Sequence, residues 1–219
     1  MSTLNTEIKN VKNVLRYTIG AGALKDLPEQ LAFQREKNKG NCVIFFVDEF
    51  FRSNEDIINN LDIHHSDELI FIDTTDEPTT EYIDQQLKIV KQKTRSIPTA
   101  IVGMGGGLTM DISKAVSNLL TNGGKAKDYQ GWDLVKKPGV YKIAIPTLSG
   151  TGAEATRTCV MTNKETGLKL GMNSDYTVFD QIIMDPNLSK TVPKNQYFYT
   201  GMDSYIHCIE ALSGSYRNA

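Results

Sequence analysis

Short apolar runs, each followed by a stretch of helical periodicity, decide what this chain can fold into. Val14 to Ile19, Cys42 to Asp48, Leu69 to Ile72, Thr99 to Val102, Tyr141 to Pro146 and Val178 to Met184 read as strands. Between them, Leu24, Leu27 and Leu31 mark a helix over Ala23 to Glu36, and Glu55 to Leu61 suggests a short one. Tyr82, Ile83, Leu87 and Val90 mark another over Thr80 to Thr94, and Met110, Ile112, Ala115, Val116 and Leu119 a further one. Strands that are apolar throughout are buried on both faces, as in a parallel sheet covered by helices. The expected class is therefore α/β, with a doubly wound, mostly parallel sheet. Ligands of such sheets sit outside the carboxyl ends of the strands. Asp48, Gly105 to Gly107 and Thr147 to Thr151 stand at three of those ends.

The glycines at 103, 105, 106 and 107 lie between a predicted strand and a predicted helix. Glycine lets the backbone turn tightly and come close to a phosphate, and the helix N-terminus adds partial positive charge. Leu108 breaks the usual dinucleotide fingerprint, and no Gly-Lys-Ser/Thr closes a P-loop. A ligand-free tight turn is the competing reading.

After residue 150 the pattern changes. Arg157 to Thr162 and Leu168 to Met172 flank a turn at Asn163 to Gly167, which reads as a hairpin. From Asn195, Phe198, Met202, Tyr205, Ile206, Ile209 and Leu212 recur at helical steps. The expected division is an α/β domain over residues 1–190 and the start of a helical domain over 191–219.

The 219 residues carry a formal net charge of −2, with basic residues scattered rather than striped, which argues against a nucleic-acid surface. No apolar run reaches membrane-spanning length. Met1 to Asn13 is polar and lacks a signal-peptide core. The cysteines at 42, 159 and 208 are odd in number and form no CxxC, so a reduced, cytoplasmic chain is expected. Cys42 and Cys208 are expected to be small buried hydrophobes.

Asp48 suits ribose hydroxyls or is a solvated strand-end acid; local sequence does not separate the two. Pro146 to Glu154 is rich in hydroxyls and glycine, suited to a phosphate or a nicotinamide edge. It equally suits a helix start, with Thr151 as N-cap and Glu154 completing a capping box. Asp203 and His207 lie four apart on a predicted helix, on one face, where they can grip a metal or merely pair with each other. Two ligands are too few for a stable site. His64 and His65 read as surface residues, and Trp132 as a loop side chain covering an edge of the core.

Together these stretches resemble the iron-containing alcohol dehydrogenase family. Gly105 to Asp111 carries its Gly-Gly-Gly-x-x-x-Asp run, Pro146 to Glu154 its Pro-Thr-x-x-Gly-Thr-x-x-Glu run, and Asp203 with His207 its Asp-x-x-x-His pair. Tyr129 to Leu134, Asn173 to Asp185 and Phe198 to Cys208 resemble more narrowly a branch oxidising the C8 hydroxyl of 3-deoxy-D-manno-octulosonate in lipopolysaccharide sugar biosynthesis.

The resemblance implies the fold shared with dehydroquinate synthases: a nucleotide domain, then an all-helical metal domain, with the active site between. It implies NAD or NADP and a divalent metal, iron or zinc. Asp48 would hold the adenosine ribose, and Gly105, Gly106 and Gly107 would turn around the pyrophosphate, with Asp111 among the cofactor-binding residues. Thr147, Thr151 and Thr156 would line the cofactor cleft, Lys169 would reach the nicotinamide ribose, and Asp203 and His207 would bind the metal. The substrate would be a sugar acid or another small alcohol, oxidised to an aldehyde, and a homodimer is left open. The resemblance names no catalytic side chain here. Leu108 replaces the family's usual serine, removing one hydroxyl contact to phosphate. The other two metal ligands of the family lie in the helical domain past Ala219, so the sequence reads as an N-terminal part. The alternatives are a catalytically incomplete nucleotide-binding fragment, and a related lyase or synthase on the same scaffold.

Overall fold

The computed structural model describes residues 12–38 and 42–213. Most of the polar N-terminal stretch therefore lies outside the described residues. In chain order the elements are β1 (Arg16–Ile19), α1 (Leu27–Lys37), β2 (Val43–Asp48), α2 (Glu55–Asn59), β3 (Glu68–Ile72), α3 (Thr80–Lys93), β4 (Ala100–Gly105) and α4 (Gly107–Asn122). β5 (Gly131–Trp132), β6 (Tyr141–Pro146), β7 (Thr158–Asn163), β8 (Leu168–Asn173), β9 (Gln181–Met184) and α5 (Lys194–Ser213) follow.

Six strands form one parallel sheet in the order β1-β9-β6-β4-β2-β3. Alternate side chains of β2 serve opposite cores. Ile44 and Phe46 pack with Ile83, Leu87 and Val90 of α3 and Ile112 and Val116 of α4. Val43, Phe45 and Val47 pack with Leu27 and Leu31 of α1. This two-sided burial explains why β2 is apolar at every position from Val43 to Val47. From β2 the chain steps outward to β3, then returns to the other side of β2 as β4. The order therefore reverses between β2 and β4, and the crevice at their carboxyl ends is where such sheets take ligands.

β4 runs further than its apolar residues suggest, through Gly103 to Gly105. Only Gly106 and Gly107 make the turn and open α4. Gly103 is needed inside the strand because a Cβ there would strike Ser113 Oγ of α4. Its role is close helix–sheet packing, not phosphate contact.

β7 and β8 pair antiparallel from Thr158↔Asn173 to Asn163↔Leu168, and β5 adds beside β8. The expected hairpin is present, with Gly167 in the left-handed conformation at φ 70°. The last sheet strand begins at Gln181 rather than Val178, because a 3-10 turn occupies Asp175–Thr177.

α5 rests on the segment after β6. A Cβ at Gly150 would come within 2.8 Å of the Thr200 carbonyl carbon, so the glycine allows helix and loop to touch. Ser204 Oγ donates to the Gly150 carbonyl at 3.0 Å. Only Thr200 of the helix is buried, while Tyr197, Phe198, Tyr205, Ile206, Ile209 and Leu212 are exposed. Among the described residues, no helix is long and apolar enough to cross a membrane.

Candidate functional site

Two adjoining cavities run along the carboxyl ends of β2, β4 and β6. The smaller, about 380 Å³, is lined by Asp48, Phe50, Gly106, Gly107, Thr147 and Thr151, among others, with Thr200 of α5 at its far wall. The larger, about 560 Å³, is lined by Glu77, Asp111, Thr156, Lys169, Asp203 and His207, among others. Thr74, Gly107, Leu108 and Thr151 belong to both, so the two adjoin along these residues.

Gly106 caps α4 without any side-chain cap bond, which leaves first-turn amides for a ligand. A Cβ at Gly106 would lie 2.9 Å from Leu148 Cδ1, and one at Gly107 3.0 Å from Thr151 Oγ1. Glycine at both positions lets the side chains of Leu148 and Thr151 pack against the start of α4, whose first residues line the smaller cavity. Gly105 is different: it ends β4, its carbonyl accepts from Thr147 N at 3.0 Å, and it lines neither cavity. Asp48 ends β2, its Oδ1 accepting from Phe50 N at 3.0 Å and from Thr74 Oγ1 at 3.2 Å. Leu108 presents an aliphatic side chain to both cavities at the position where a serine is usual for the resembled family.

Residues 147–157 contain no helix, so the expected capping box of Thr151 and Glu154 does not form. Thr151 Oγ1 instead accepts from Ala153 N at 3.2 Å. The reason is Lys114, which is wholly buried. Its three N–H donors face four acceptors: the Ala153 carbonyl, the Thr156 carbonyl and Oγ1, both at 3.0 Å, and the Thr158 carbonyl at 2.8 Å. Carbonyls gathered around one ammonium cannot also align along a helix axis. Burial holds the Lys114 ammonium below its ordinary pKa.

One turn before it, Asp111 Oδ2 accepts from Val160 N at 3.0 Å and ties α4 to β7. Burial raises the Asp111 carboxyl to about 6, against the pull of Lys114 and Lys169. Between the ordinary carboxylate range and that value, the folded chain keeps a proton that the unfolded chain has released. Stability is therefore expected to fall as pH rises from about 4 to about 6, by roughly 2 kcal/mol given the group's partial access to the cavity. Asp111→Asn should flatten that slope in denaturant titrations at successive pH values; an unchanged slope would refute the assignment.

Asp203 Oδ2 stands 3.6 Å from His207 Nδ1, with side chains 43% and 55% exposed and both on the wall of the larger cavity. Among the described residues no group of three or more His, Cys, Asp and Glu converges. The pair offers one carboxylate and one imidazole to a cation, a donor set that suits iron or zinc but needs further ligands. His64 is exposed and pairs with Asp62 at 3.2 Å, and His65 is exposed as well.

Three expectations fail outside the cavities. Trp132 is exposed and lies against Arg157, with the guanidinium 5.9 Å from its ring, instead of covering the core. Cys208 is exposed, because its face of α5 meets no other described residue, and Cys42 is only half-buried at the mouth of β2. Cys159, which was given no role, is the wholly buried one. Phe50, Leu148 and Glu77 line the cavities without any local sequence signal.

Comparison with known proteins bears on the family and the fold. The chain is 40% identical over 114 residues to a sulfoacetaldehyde reductase of Bilophila wadsworthia, covering 52% of this chain and 30% of that one. It is 31% identical over 196 residues to an NAD-dependent methanol dehydrogenase of Bacillus methanolicus, covering 88% of this chain and 50% of that one. The crystal structure of sulfoacetaldehyde reductase from Bifidobacterium kashiwanohense in complex with NAD+ superposes with a TM-score of 0.73 at 26% identity, over 89% of this chain and 50% of that one. The chain thus spans from about a third to half the length of these relatives. Residues 15–186 match the model of the iron-containing alcohol dehydrogenases, and the chain belongs to that family.

Proposed function

We propose that the chain supplies the nucleotide cleft and part of the metal site of an NAD-linked, metal-dependent alcohol oxidoreductase. The observation that carries this reading is the adjacency of the two cavities: the one lined by Gly106 and Gly107 and the one lined by Asp203 and His207 share Thr74, Gly107, Leu108 and Thr151. The smaller cavity takes the adenosine and the diphosphate. Asp48 accepts from the ribose hydroxyls and repels a 2′-phosphate, which favours NAD over NADP. The amides at Gly106 and Gly107 meet the diphosphate, Gly105 supports the turn from behind, and Thr147 and Thr151 offer hydroxyls along the cleft. Asp111, Thr156 and Lys169 flank the nicotinamide end, and Asp203 and His207 hold the cation. When bound, the cation supplies Lewis acidity at the alcohol oxygen and the nicotinamide accepts the hydride. The protein's own part is to fix the two at the cavity junction. α5 is then the first element of a helical domain, a reading its exposed aromatic and aliphatic side chains support. Leu15, Tyr17 and Ile19, exposed at the β1 edge of the sheet, support a homodimer, which sedimentation tests.

As substrate we propose the C8 hydroxyl of 3-deoxy-D-manno-octulosonate, as in 3-deoxy-D-manno-octulosonate 8-oxidase. C8 is the end remote from the substrate's carboxylate. A second reading, a small neutral alcohol or aldehyde, is favoured by the acidity of the larger cavity, whose walls carry Asp76, Glu77, Asp111 and Asp203. NAD+ reduction by an enzyme with the complete metal site, followed with each substrate, decides between them. Turnover of neutral alcohols alone would overturn the sugar-acid assignment, and NAD binding without turnover of either would point to a nucleotide-binding fragment.

In an intact homologue that carries the full ligand set, alanine at the residues matching Asp203 and His207 is expected to weaken Fe2+ or Zn2+ binding by more than the ~10-fold typical of losing an outer partner. NADH affinity should stay unchanged in both. Equal metal retention in variant and parent would refute the ligand assignment.

A further inference from the structure

We infer that Glu77 is a positioning residue for Lys169, holding its ammonium at the mouth of the larger cavity until a nucleotide takes it over. Lys169 Nζ lies 2.6 Å from Glu77 Oε1, although the two are 92 residues apart. Lys169 projects from β8, and Glu77 from the segment between β3 and α3. The backbones beneath them are joined: Thr162, opposite Lys169 in the hairpin, donates its N–H to the Pro78 carbonyl at 2.9 Å, and Thr79 bridges Thr162. The two lips of the cleft are thus held at one separation, and the ion pair closes the gap between them.

The pair is poorly placed to be a structural strut. Its side chains are 52% and 64% exposed, and ion pairs this open contribute little to stability. It is well placed to exchange partners. Lys169 is the one lysine lining this cavity, against the carboxylates of Asp76, Glu77, Asp111 and Asp203, and its charge reaches Asp111. Losing Glu77 costs the fold little and leaves the ammonium free to turn inward.

This inference rests on the reading that Lys169 contacts the nicotinamide ribose, and the experiment separates the two. NADH and ADP, which lacks the nicotinamide half, are titrated into the parent chain, Glu77→Gln, Lys169→Met and the double variant at low and high salt. Glu77→Gln is expected to bind NADH about threefold tighter at low salt, the scale of one exposed ion pair, with the gap closing at high salt. ADP affinity and thermal midpoint should not move. Lys169→Met should weaken NADH binding and make the second substitution silent. Unaltered NADH affinity in Lys169→Met would overturn the lysine's assignment itself. Weakening by Lys169→Met with no tightening in Glu77→Gln would overturn the positioning role alone, as would equal tightening toward ADP.

Discussion

Lys114→Met is expected to cost on the order of 3 kcal/mol of stability and to weaken NADH binding with it. Methionine fills much the same stem volume, so packing is nearly kept. What disappears is the donor shared by the carbonyls of Ala153, Thr156 and Thr158. Each buried acceptor left without a partner costs about 1–3 kcal/mol, partly offset here because the one Thr156 hydroxyl hydrogen can go to either the Ala153 or the Thr158 carbonyl. The consequence reaches the site because Ala153, Thr156 and Thr158 line the larger cavity. Urea titration with parallel NADH binding checks both parts. A loss below about 1 kcal/mol would mean that the ammonium is not what shapes this segment.

Gly106→Val is expected to weaken NADH binding by about a hundredfold, the loss of two charge-assisted hydrogen bonds at about 1.5 kcal/mol each. The added Cβ meets Leu148 Cδ1 at 2.9 Å, and the branched methyls fill the place proposed for the diphosphate. Some fold stability goes too, about 1–3 kcal/mol for an overfilled contact. Gly201→Ala is the control: a Cβ there meets nothing within 4 Å, so binding should be untouched. Unaltered affinity in Gly106→Val would move the diphosphate away from the amides of α4.

The sheet was legible in the sequence because its central strands are buried on both faces, so Val43 to Val47 of β2 and Ile143 to Ile145 of β6 announce themselves as apolar runs. The end of β4 was not, because Gly103 and Gly105 read as a turn when the close approach of α4 is out of view. The same limit hid the shape of residues 147–157. Thr151 and Glu154 have the spacing of a capping box, but Lys114, far back in the chain, decides the conformation through bonds no local window contains. Within the site, Asp48, Gly106, Gly107, Thr147 and Thr151 were nominated from strand ends and turns, and they line one cavity. Asp203 and His207 were nominated from helical spacing, and they line the other. Glu77 had nothing to mark it, since an acid in a polar loop looks like any solvated charge until its lysine is located. Cys208 and Trp132 misled for the opposite reason: residue types that usually bury themselves are exposed here, Trp132 beneath no more than the Arg157 guanidinium.

The seam where Gly150 touches Thr200 gears the two chambers together. Thr200 walls the smaller one, while Asp203 and His207, about a turn and two turns further along the same rod, wall the larger. A side chain at Gly150 would collide with Thr200, so Gly150→Ala is expected to displace this end of α5 and with it the wall that each chamber takes from the helix.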